Sequence, residues 1–157
     1  MDEIDLKIIS LLQENARIQN AELAREVGMA PSGVLERVRK LEKKGVIKSY
    51  KAEIDPAALE LRLLAFILIR SIDKPGSCET TDALLALPEI LELHEVAGED
   101  CQLIKVRACD AKSLSDFMKE KLGQIGTITS TKTLIVLDTL KEDTKLVIDS
   151  NTNNTDE

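Results

Sequence analysis

The chain has 157 residues and a formal net charge of -7, which suffices for one ordinary domain or two small ones. No apolar run reaches the roughly 18 residues of a membrane-spanning helix, and the acidic N-terminus is unlike a signal peptide, so we expect a cytoplasmic protein. The three cysteines form no CxxC pair and there is one histidine. This composition argues against a disulfide framework, a bound metal and histidine-dependent catalysis, and we expect no cofactor.

Charge is distributed unevenly along the chain. Residues 1–55 hold ten Lys/Arg and ten Asp/Glu, so residues 56–157 carry the whole net charge of -7. Within the first part, residues 34–51 contain seven Lys/Arg and only two Glu. A cationic excess inside an acidic protein indicates that the two parts face different partners.

Three helices are predicted near the N-terminus. Apolar residues at helical spacing in "EIDLKIISLLQEN" indicate the first, while Asn20 is a candidate N-cap for the second, which Gly28 would end. The third is expected from about Pro31 to Lys44, because proline suits the first helical turn and Gly45 suits the position after the last. Two helices joined by a tight glycine-containing turn predict a helix-turn-helix, whose second helix enters the DNA major groove.

The third helix has one apolar and one polar face, and the alternating "VIKSYKAEI" after it predicts a short strand or hairpin, a wing. A basic amphipathic helix alone is more often a solvated face than a DNA reader. The three helices, the turn and the strand together favour binding to double-stranded DNA. We expect base contacts from Ser32, Gly33, Glu36, Arg37 and Lys40, and phosphate contacts from Arg39, Lys43, Lys44, Lys48 and Lys51.

A second domain is predicted after a linker with a short helical turn, in which Pro56 restricts the chain and Asp55 is a candidate cap. The following segments are ordered strand, helix, strand, strand, helix, strand, which predicts a ferredoxin-like βαββαβ sandwich. The overall class is therefore α+β. We place the DNA-binding domain at residues 1–54, the linker at 55–62, the sandwich at 63–141 and a C-terminal tail at 142–157, where 144–149 are a candidate edge strand.

The sandwich should leave one sheet face uncovered, because both of its helices are expected on the other face. Its first and last strands contain apolar residues on both sides, and burying such a face recovers roughly 25 cal/mol per Å². A second copy of the chain is the natural cover. We therefore expect a symmetric homodimer.

Three stretches carry a family resemblance: "IDLKIISLLQENARIQNAELAREVGMAPSGVLERVRKLEKKGVIKSYKAEIDP", "HEVAGEDCQLIKVRACD" and "STKTLIVLD". They resemble the leucine-responsive regulator and asparagine regulator (Lrp/AsnC) family of bacterial and archaeal transcription factors. The resemblance implies a winged helix-turn-helix and an αβ sandwich that dimerises and assembles dimers into tetramers, octamers or larger rings. It also implies an amino acid or related small molecule bound between neighbouring dimers.

The resemblance places this effector near the turn "AGEDC", where a carboxylate and backbone N–H groups suit the ammonium and carboxylate of a free amino acid. An ordinary polar hairpin turn explains the same residues equally well. Two departures from the family stand out: Cys101 replaces a frequent aromatic residue, and Ala30 replaces a Ser N-cap worth about 1 kcal/mol. The implied effector contacts are Gly98, Glu99, Asp100, Cys101, Ser130 and Thr131.

The leading hypothesis is thus a sequence-specific DNA-binding transcriptional regulator modulated by an amino acid or related small metabolite. One alternative is an architectural DNA-binding protein without an effector. A third is an enzyme, since some haem-biosynthesis decarboxylases resemble this family in fold, but their pockets need histidine and aromatic residues that are scarce here.

Overall fold

Three helices form the N-terminal unit: α1 (Glu3–Glu14), α2 (Asn20–Val27) and α3 (Pro31–Lys43). The computed structural model describes residues 1–73, 77–98 and 102–148. It divides the chain into one unit formed by Met1–Glu53 with the segment from Lys141, and a second formed by Ile54–Leu140. The buried apolar core of the first unit comes from all three helices and consists of Ile8, Leu23, Ala24, Val34, Val38 and Leu41.

The ends of these helices follow the predicted signals with one exception. Gly28 ends α2 at φ 67°, a left-handed conformation that favours glycine. Pro31 begins α3, and Ala30 before it makes no side-chain cap hydrogen bond, as predicted. The prediction for Asn20 was wrong: it is the first helical residue, and Gln19 occupies the N-cap without a side-chain bond.

The predicted wing strand does not form in residues 46–54. Val46 and Ile47 instead donate backbone hydrogen bonds to the Leu41 carbonyl at 3.0 and 3.3 Å, which folds the chain back onto the end of α3. The Tyr50 hydroxyl donates to Glu42 Oε1 at 3.0 Å. Residues 46–50 are thereby anchored to α3 without any strand partner in the described part of this unit.

The C-terminal segment contacts α1 rather than forming the predicted edge strand. The Gln13 side-chain amide pairs with the backbone of Leu146: Nε2 donates to its carbonyl at 3.1 Å, and Oε1 accepts from its N–H at 2.8 Å. Lys145 Nζ lies 2.8 Å from Glu14 Oε1. Side chains of α1 therefore satisfy backbone groups that a strand would have bonded to a sheet.

The second unit is a four-stranded antiparallel sheet with two helices, as predicted. After a 3-10 helix at Pro56–Leu59, capped by Asp55, the strands take the order β2-β3-β1-β4. The βαββαβ sequence of elements is confirmed. The elements are β1 (Leu63–Ser71), α4 (Glu79–Leu85), β2 (Ile90–Glu95), β3 (Gln102–Ala108), α5 (Ala111–Glu120) and β4 (Ile128–Ile135), with a second 3-10 helix at Leu122–Gln124.

The two faces of this sheet differ in burial. On one face, Ala65, Ile67 and Ile69 of β1 are fully buried and share a core with Leu84 of α4 and Leu114 of α5. On the other face, which we call the open face, β1 presents apolar side chains and the neighbouring strands present a mixture. Its members are Leu64, Phe66, Leu68, Arg70, Glu92, His94, Leu103, Lys105, Arg107, Ser130, Lys132 and Leu134.

Candidate DNA interface and ligand domain

The polar side of α3 carries most of the residues predicted to contact DNA. Ser32, Glu36, Arg39, Lys40 and Lys43 are exposed, and Lys44, Lys48 and Lys51 after the helix are exposed as well. Within residues 1–73, 77–98 and 102–148, the six cations in this set form no ion pair. A cation without a protein carboxylate is available to a phosphate, so these six side chains match the chemistry of a DNA backbone.

Gly33 lies close to the turn between α2 and α3. It is half-buried, and a Cβ added to it would lie 3.1 Å from Met29 Cε in that turn. A larger residue would therefore require the flexible end of the Met29 side chain to move by a few tenths of an ångström.

The side chain of Arg37 contacts the start of α1, whereas the sequence predicted a contact with a DNA base. Its Nη1 donates to Asp2 Oδ2 at 2.6 Å and to Asp5 Oδ1 at 2.7 Å, and its side chain is only 28% exposed. The hydrogen bond to Asp2, followed by that to Asp5, raises the pKa of Arg37. Two carboxylates of α1 thus occupy a guanidinium that was expected to read bases.

The same two carboxylates also begin α1. Asp2 caps the helix by accepting from the Asp5 N–H at 2.9 Å, and the Asp5 side chain accepts in return from the Asp2 N–H at 3.3 Å. The backbone hydrogen bond from Asp5 and the Arg37 side chain lower the pKa of Asp2. One cluster therefore caps α1 and ties it to α3.

In the second unit, the described residues cover only part of the predicted effector site. Gly98 has φ 145°, which few other residues adopt, so glycine suits this turn after β2. Glu99, Asp100 and Cys101 lie outside the described residues. Ser130 and Thr131 are exposed but point to opposite faces of the sheet, because Ser130 pairs with Arg70 and Thr131 with the buried Ile69.

Gln102, the first residue of β3, is a candidate that the sequence reasoning missed. Its side chain is almost fully buried, and its Nε2 donates to Thr81 Oγ1 at 2.8 Å. Its Oε1 is buried with no hydrogen-bond partner among the described residues, and such an atom in a folded protein calls for an explanation. The signal was visible in the sequence: a glutamine stands at the buried parity of β3, directly after the turn.

The open face contains a charged cluster beside its apolar residues. Lys105 Nζ lies 3.0 Å from Glu92 Oε1, and His94 Nε2 lies 3.3 Å from the other oxygen of that carboxylate. The hydrogen bond from Lys105 holds the pKa of Glu92 below its usual range. His94, the single histidine of the chain, thus faces a carboxylate on the open face.

Among the described residues, no group of three or more His, Cys, Asp or Glu side chains is arranged to hold a metal ion. In the same part of the chain, no helix is both long and apolar enough to span a membrane.

Comparison with known families places a boundary between residues 48 and 64, and the fold divides the chain within the same stretch, between Glu53 and Ile54. Residues 1–48 match the family described as "Winged helix-turn-helix DNA-binding", and residues 64–146 match the family described as "Lrp/AsnC ligand binding domain". The two matched regions lie on either side of the 3-10 helix that precedes β1.

Whole-chain relatives show the same arrangement. The HTH-type transcriptional regulator FL11 of Pyrococcus horikoshii is 40% identical over 94% of this chain and 97% of that protein. The leucine-responsive regulatory protein of Haemophilus influenzae is 36% identical over 94% of this chain and 90% of that protein. A transcriptional regulator from Neisseria meningitidis, solved as an L-Met complex, superposes with a TM-score of 0.88 at 30% identity, covering 94% of this chain and 96% of that chain. The similarity therefore extends through both domains.

Proposed function

The chain belongs to the Lrp/AsnC family of DNA-binding transcriptional regulators, and from that premise we propose which of its surfaces bind DNA, an amino acid and a second copy. DNA binding is assigned to residues 1–54 and the amino acid to residues 63–141, joined by a linker at 55–62. The family is one of regulators with an amino-acid ligand domain, so we propose no catalytic role. Because its target is chromosomal DNA, we infer a cytoplasmic location.

The observation that carries the DNA assignment is the set of unpaired cations around α3. Base contacts are assigned to Ser32, Glu36 and Lys40, which are exposed on one face of the helix. Phosphate contacts are assigned to Arg39, Lys43 and Lys44 on the helix and to Lys48 and Lys51 after it. Arg37 acts differently from the prediction: it positions α3 against α1 through Asp2 and Asp5.

We assign the amino acid to the surroundings of the β2–β3 turn. The Neisseria meningitidis relative was solved with L-Met, which supports an amino-acid effector in this chain. Gly98 permits the turn, and the orphan Gln102 Oε1 stands directly after it. An ammonium is the donor that such a buried carbonyl oxygen accepts best, because charge-assisted hydrogen bonds are stronger than neutral ones. Asp100, Ser130 and Thr131 remain candidate contacts.

We assign the dimer contact to the open face. Leu64 is already buried within the protomer, whereas Phe66 and Leu68 are half-buried and Leu134 is 47% exposed. A patch of this kind in a two-layer domain is suited to a second identical sheet. Assembly of dimers into tetramers or octamers remains a prediction from the family.

The test combines genomic DNA selection with ligand binding. Genomic fragments bound by the full chain are selected with and without each of the twenty amino acids, and thermal unfolding is measured in parallel. An effector present at 100 times its dissociation constant should stabilise the protein by roughly 2.7 kcal/mol, and Gln102→Ala should remove that gain.

Two outcomes would favour the alternatives. If fragments are selected without sequence preference and no amino acid shifts unfolding, the protein is an architectural DNA binder. If a tetrapyrrole changes its Soret absorption on mixing with the protein, the result supports the alternative of a decarboxylase-like enzyme. If the selected fragments share one sequence motif and an amino acid raises the unfolding temperature, the results support a sequence-specific regulator with an amino-acid effector.

A further inference from the structure

A carboxylate lies among the exposed cations of α3. Residues four apart on an α-helix lie within about 40° of one another, so Ser32, Glu36 and Lys40 share one face of α3. Glu36 is exposed, and it lies on the side opposite the buried Val38 and Leu41. A duplex that approaches the exposed cations of this helix therefore meets the carboxylate as well.

Glu36 has no ion-pair or hydrogen-bond partner among the described residues. It is one of two carboxylates in residues 34–51, and the other, Glu42, accepts from the Tyr50 hydroxyl at 3.0 Å. Lys40 stands one turn after Glu36, in the order that favours an ion pair on a helix, yet the two side chains form none in this part of the chain. The carboxylate of Glu36 is thus available to a donor outside the protein.

A carboxylate on a surface that faces DNA needs such a donor. It repels the phosphates, which carry the same charge, and it can only accept hydrogen bonds. Phosphate oxygens are acceptors too, so they offer it nothing. The donors of a duplex are the amino groups on its base edges, and the second helix of a helix-turn-helix lies in the major groove, where these edges are exposed.

Cytosine suits a carboxylate better than the other three bases do. In the major groove cytosine presents its N4 amino donor, whereas adenine has the N7 acceptor beside its N6 donor. Guanine presents two acceptors, and thymine presents an acceptor and a methyl group. Each acceptor repels a carboxylate oxygen, because both atoms carry partial negative charge and neither has a proton to donate. Cytosine therefore ranks first, and adenine second.

We propose that Glu36 is a specificity-determining residue, which accepts a hydrogen bond from the N4 amino group of a cytosine in the operator. This inference rests on the proposed function, since it requires α3 to enter the major groove. The same carboxylate lowers the affinity for unrelated duplexes, because its repulsion of the phosphates is offset only where the cytosine is present. A duplex with another base at that position is bound at least about fivefold more weakly, the lower end of the cost of one mismatched base pair.

Selection from a library of random duplexes by the full chain tests the assignment. Bound duplexes are sequenced for the unmodified protein, Glu36→Gln, Glu36→Ala and the control Glu120→Gln, which makes the same chemical change at an exposed residue at the end of α5. Titration of duplexes with single base-pair changes then measures each position of the selected motif. Because Glu36 is exposed, its variants should keep the thermal midpoint of the unmodified protein.

Each variant has its own expected motif. Glu36→Gln should replace cytosine by adenine at one position of each half-site, because glutamine pairs with adenine N6 and N7, and should leave the other positions unchanged. Glu36→Ala should lose the preference at that position without gaining another. Both should bind an unrelated duplex at least about twofold more tightly, with the same salt dependence, since no cation is removed. Glu120→Gln should match the unmodified protein in every respect.

Three results overturn the proposal. A motif that is identical in all four proteins shows that Glu36 contacts no base. A loss spread over every position in both Glu36 variants shows that the residue positions the helix instead. A preference of the unmodified protein for a base other than cytosine at the affected position rejects the assigned contact. Selection without any motif contradicts the proposed sequence-specific function as well, whereas a motif that does not respond to Glu36 rejects this inference alone.

Discussion

Arg37 in α3 donates a hydrogen bond to Asp2 at the N-cap of α1, with 2.6 Å between Nη1 and Oδ2. Asp2 accepts at the same time from the Asp5 N–H, and Asp5 also accepts from Arg37. The cation therefore joins the start of the first helix to the middle of the third. This contact supports the positioning role that we propose for Arg37, in place of the base contact expected from the sequence.

Arg37→Gln should lower the thermal midpoint, because it removes the contact between α3 and α1. It should leave the slope of log binding constant against log salt nearly unchanged, since Arg37 faces two carboxylates. Lys43→Gln should instead leave the midpoint unchanged and make the slope shallower by about 0.9, the value for one phosphate contact. Thermal unfolding and DNA titrations over a salt series measure both effects.

Lys119→Gln is the matched control for this pair of variants, because Lys119 is exposed in the last turn of α5, in the other unit. It should change neither quantity by a measurable amount. An equal loss of salt dependence in Arg37→Gln and Lys43→Gln would return Arg37 to the DNA interface.

Ala30→Ser should stabilise the protein by about 1 kcal/mol, because a serine at the N-cap accepts a hydrogen bond from the first turn. Ala30 already has the extended backbone of an N-cap, with φ -67° and ψ 144°. Chemical denaturation measures the gain. Ala111→Ser is the control, since Asp110 already caps α5 through Ser113; an equal gain in both variants would show that capping is not the cause.

Tyr50 should ionise at about pH 12 in the folded protein, because partial burial and the hydrogen bond to Glu42 raise its pKa to about 12. Its pKa in an unfolded chain is about 10. The stability from this raised pKa is therefore complete below pH 10 and is lost as pH rises towards 12. Tyr50 is the only tyrosine and there is no tryptophan, so tyrosinate absorbance reports it alone.

Glu42→Gln should move this ionisation towards pH 10, because it removes the nearby negative charge and replaces a charged acceptor with a weaker, neutral one. Glu36→Gln is the control, because Glu36 lies on a different side of α3 and has no contact with Tyr50. It should leave the ionisation of Tyr50 unchanged. A Tyr50 that titrates near pH 10 in the unmodified protein would mean that residues 46–50 are not anchored to α3.

Leu134→Glu should weaken self-association at least about tenfold, equivalent to about 1.4 kcal/mol. In a dimer formed through the open face, the substitution would bury a charge at the interface. Leu134 is 47% exposed, so the substitution should leave the fold of one protomer intact. Sedimentation at micromolar concentration measures the effect. Leu85→Glu places the same charge on α4, at a residue that is 67% exposed, and should leave association unchanged. Sedimentation as a monomer before any substitution would contradict the dimer itself.

Much of the fold was predictable because its signals are local. The stop at Gly28, the start at Pro31 and the order of the sandwich elements each depend on a few neighbouring residues. A glycine that adopts positive φ and a proline without an N–H act wherever they stand in the chain. The alternation of β3 likewise shows which of its residues are buried.

The strands predicted within residues 46–54 and 144–148 do not form, for a shared reason, although the first domain does match the winged helix-turn-helix family. Alternating polar and apolar residues describe a strand only if a neighbouring strand supplies hydrogen bonds. Residues 46–50 find their partners on α3, and Leu146 finds its partner in the Gln13 side chain. The alternating pattern of a strand was present in both segments, but distant parts of the chain determine whether a neighbouring strand is available to pair with it.

The sequence by itself determined the two domains, the element order and the cationic surface around α3, since these follow from short-range periodicity, capping and charge. Only the tertiary structure decided that Arg37 belongs to Asp2 and that Gln102 keeps an unpaired oxygen in the described part of the chain. Each of these depends on atoms brought together from separated segments. Burial and partnership are properties of the packed chain, and no local pattern encodes them.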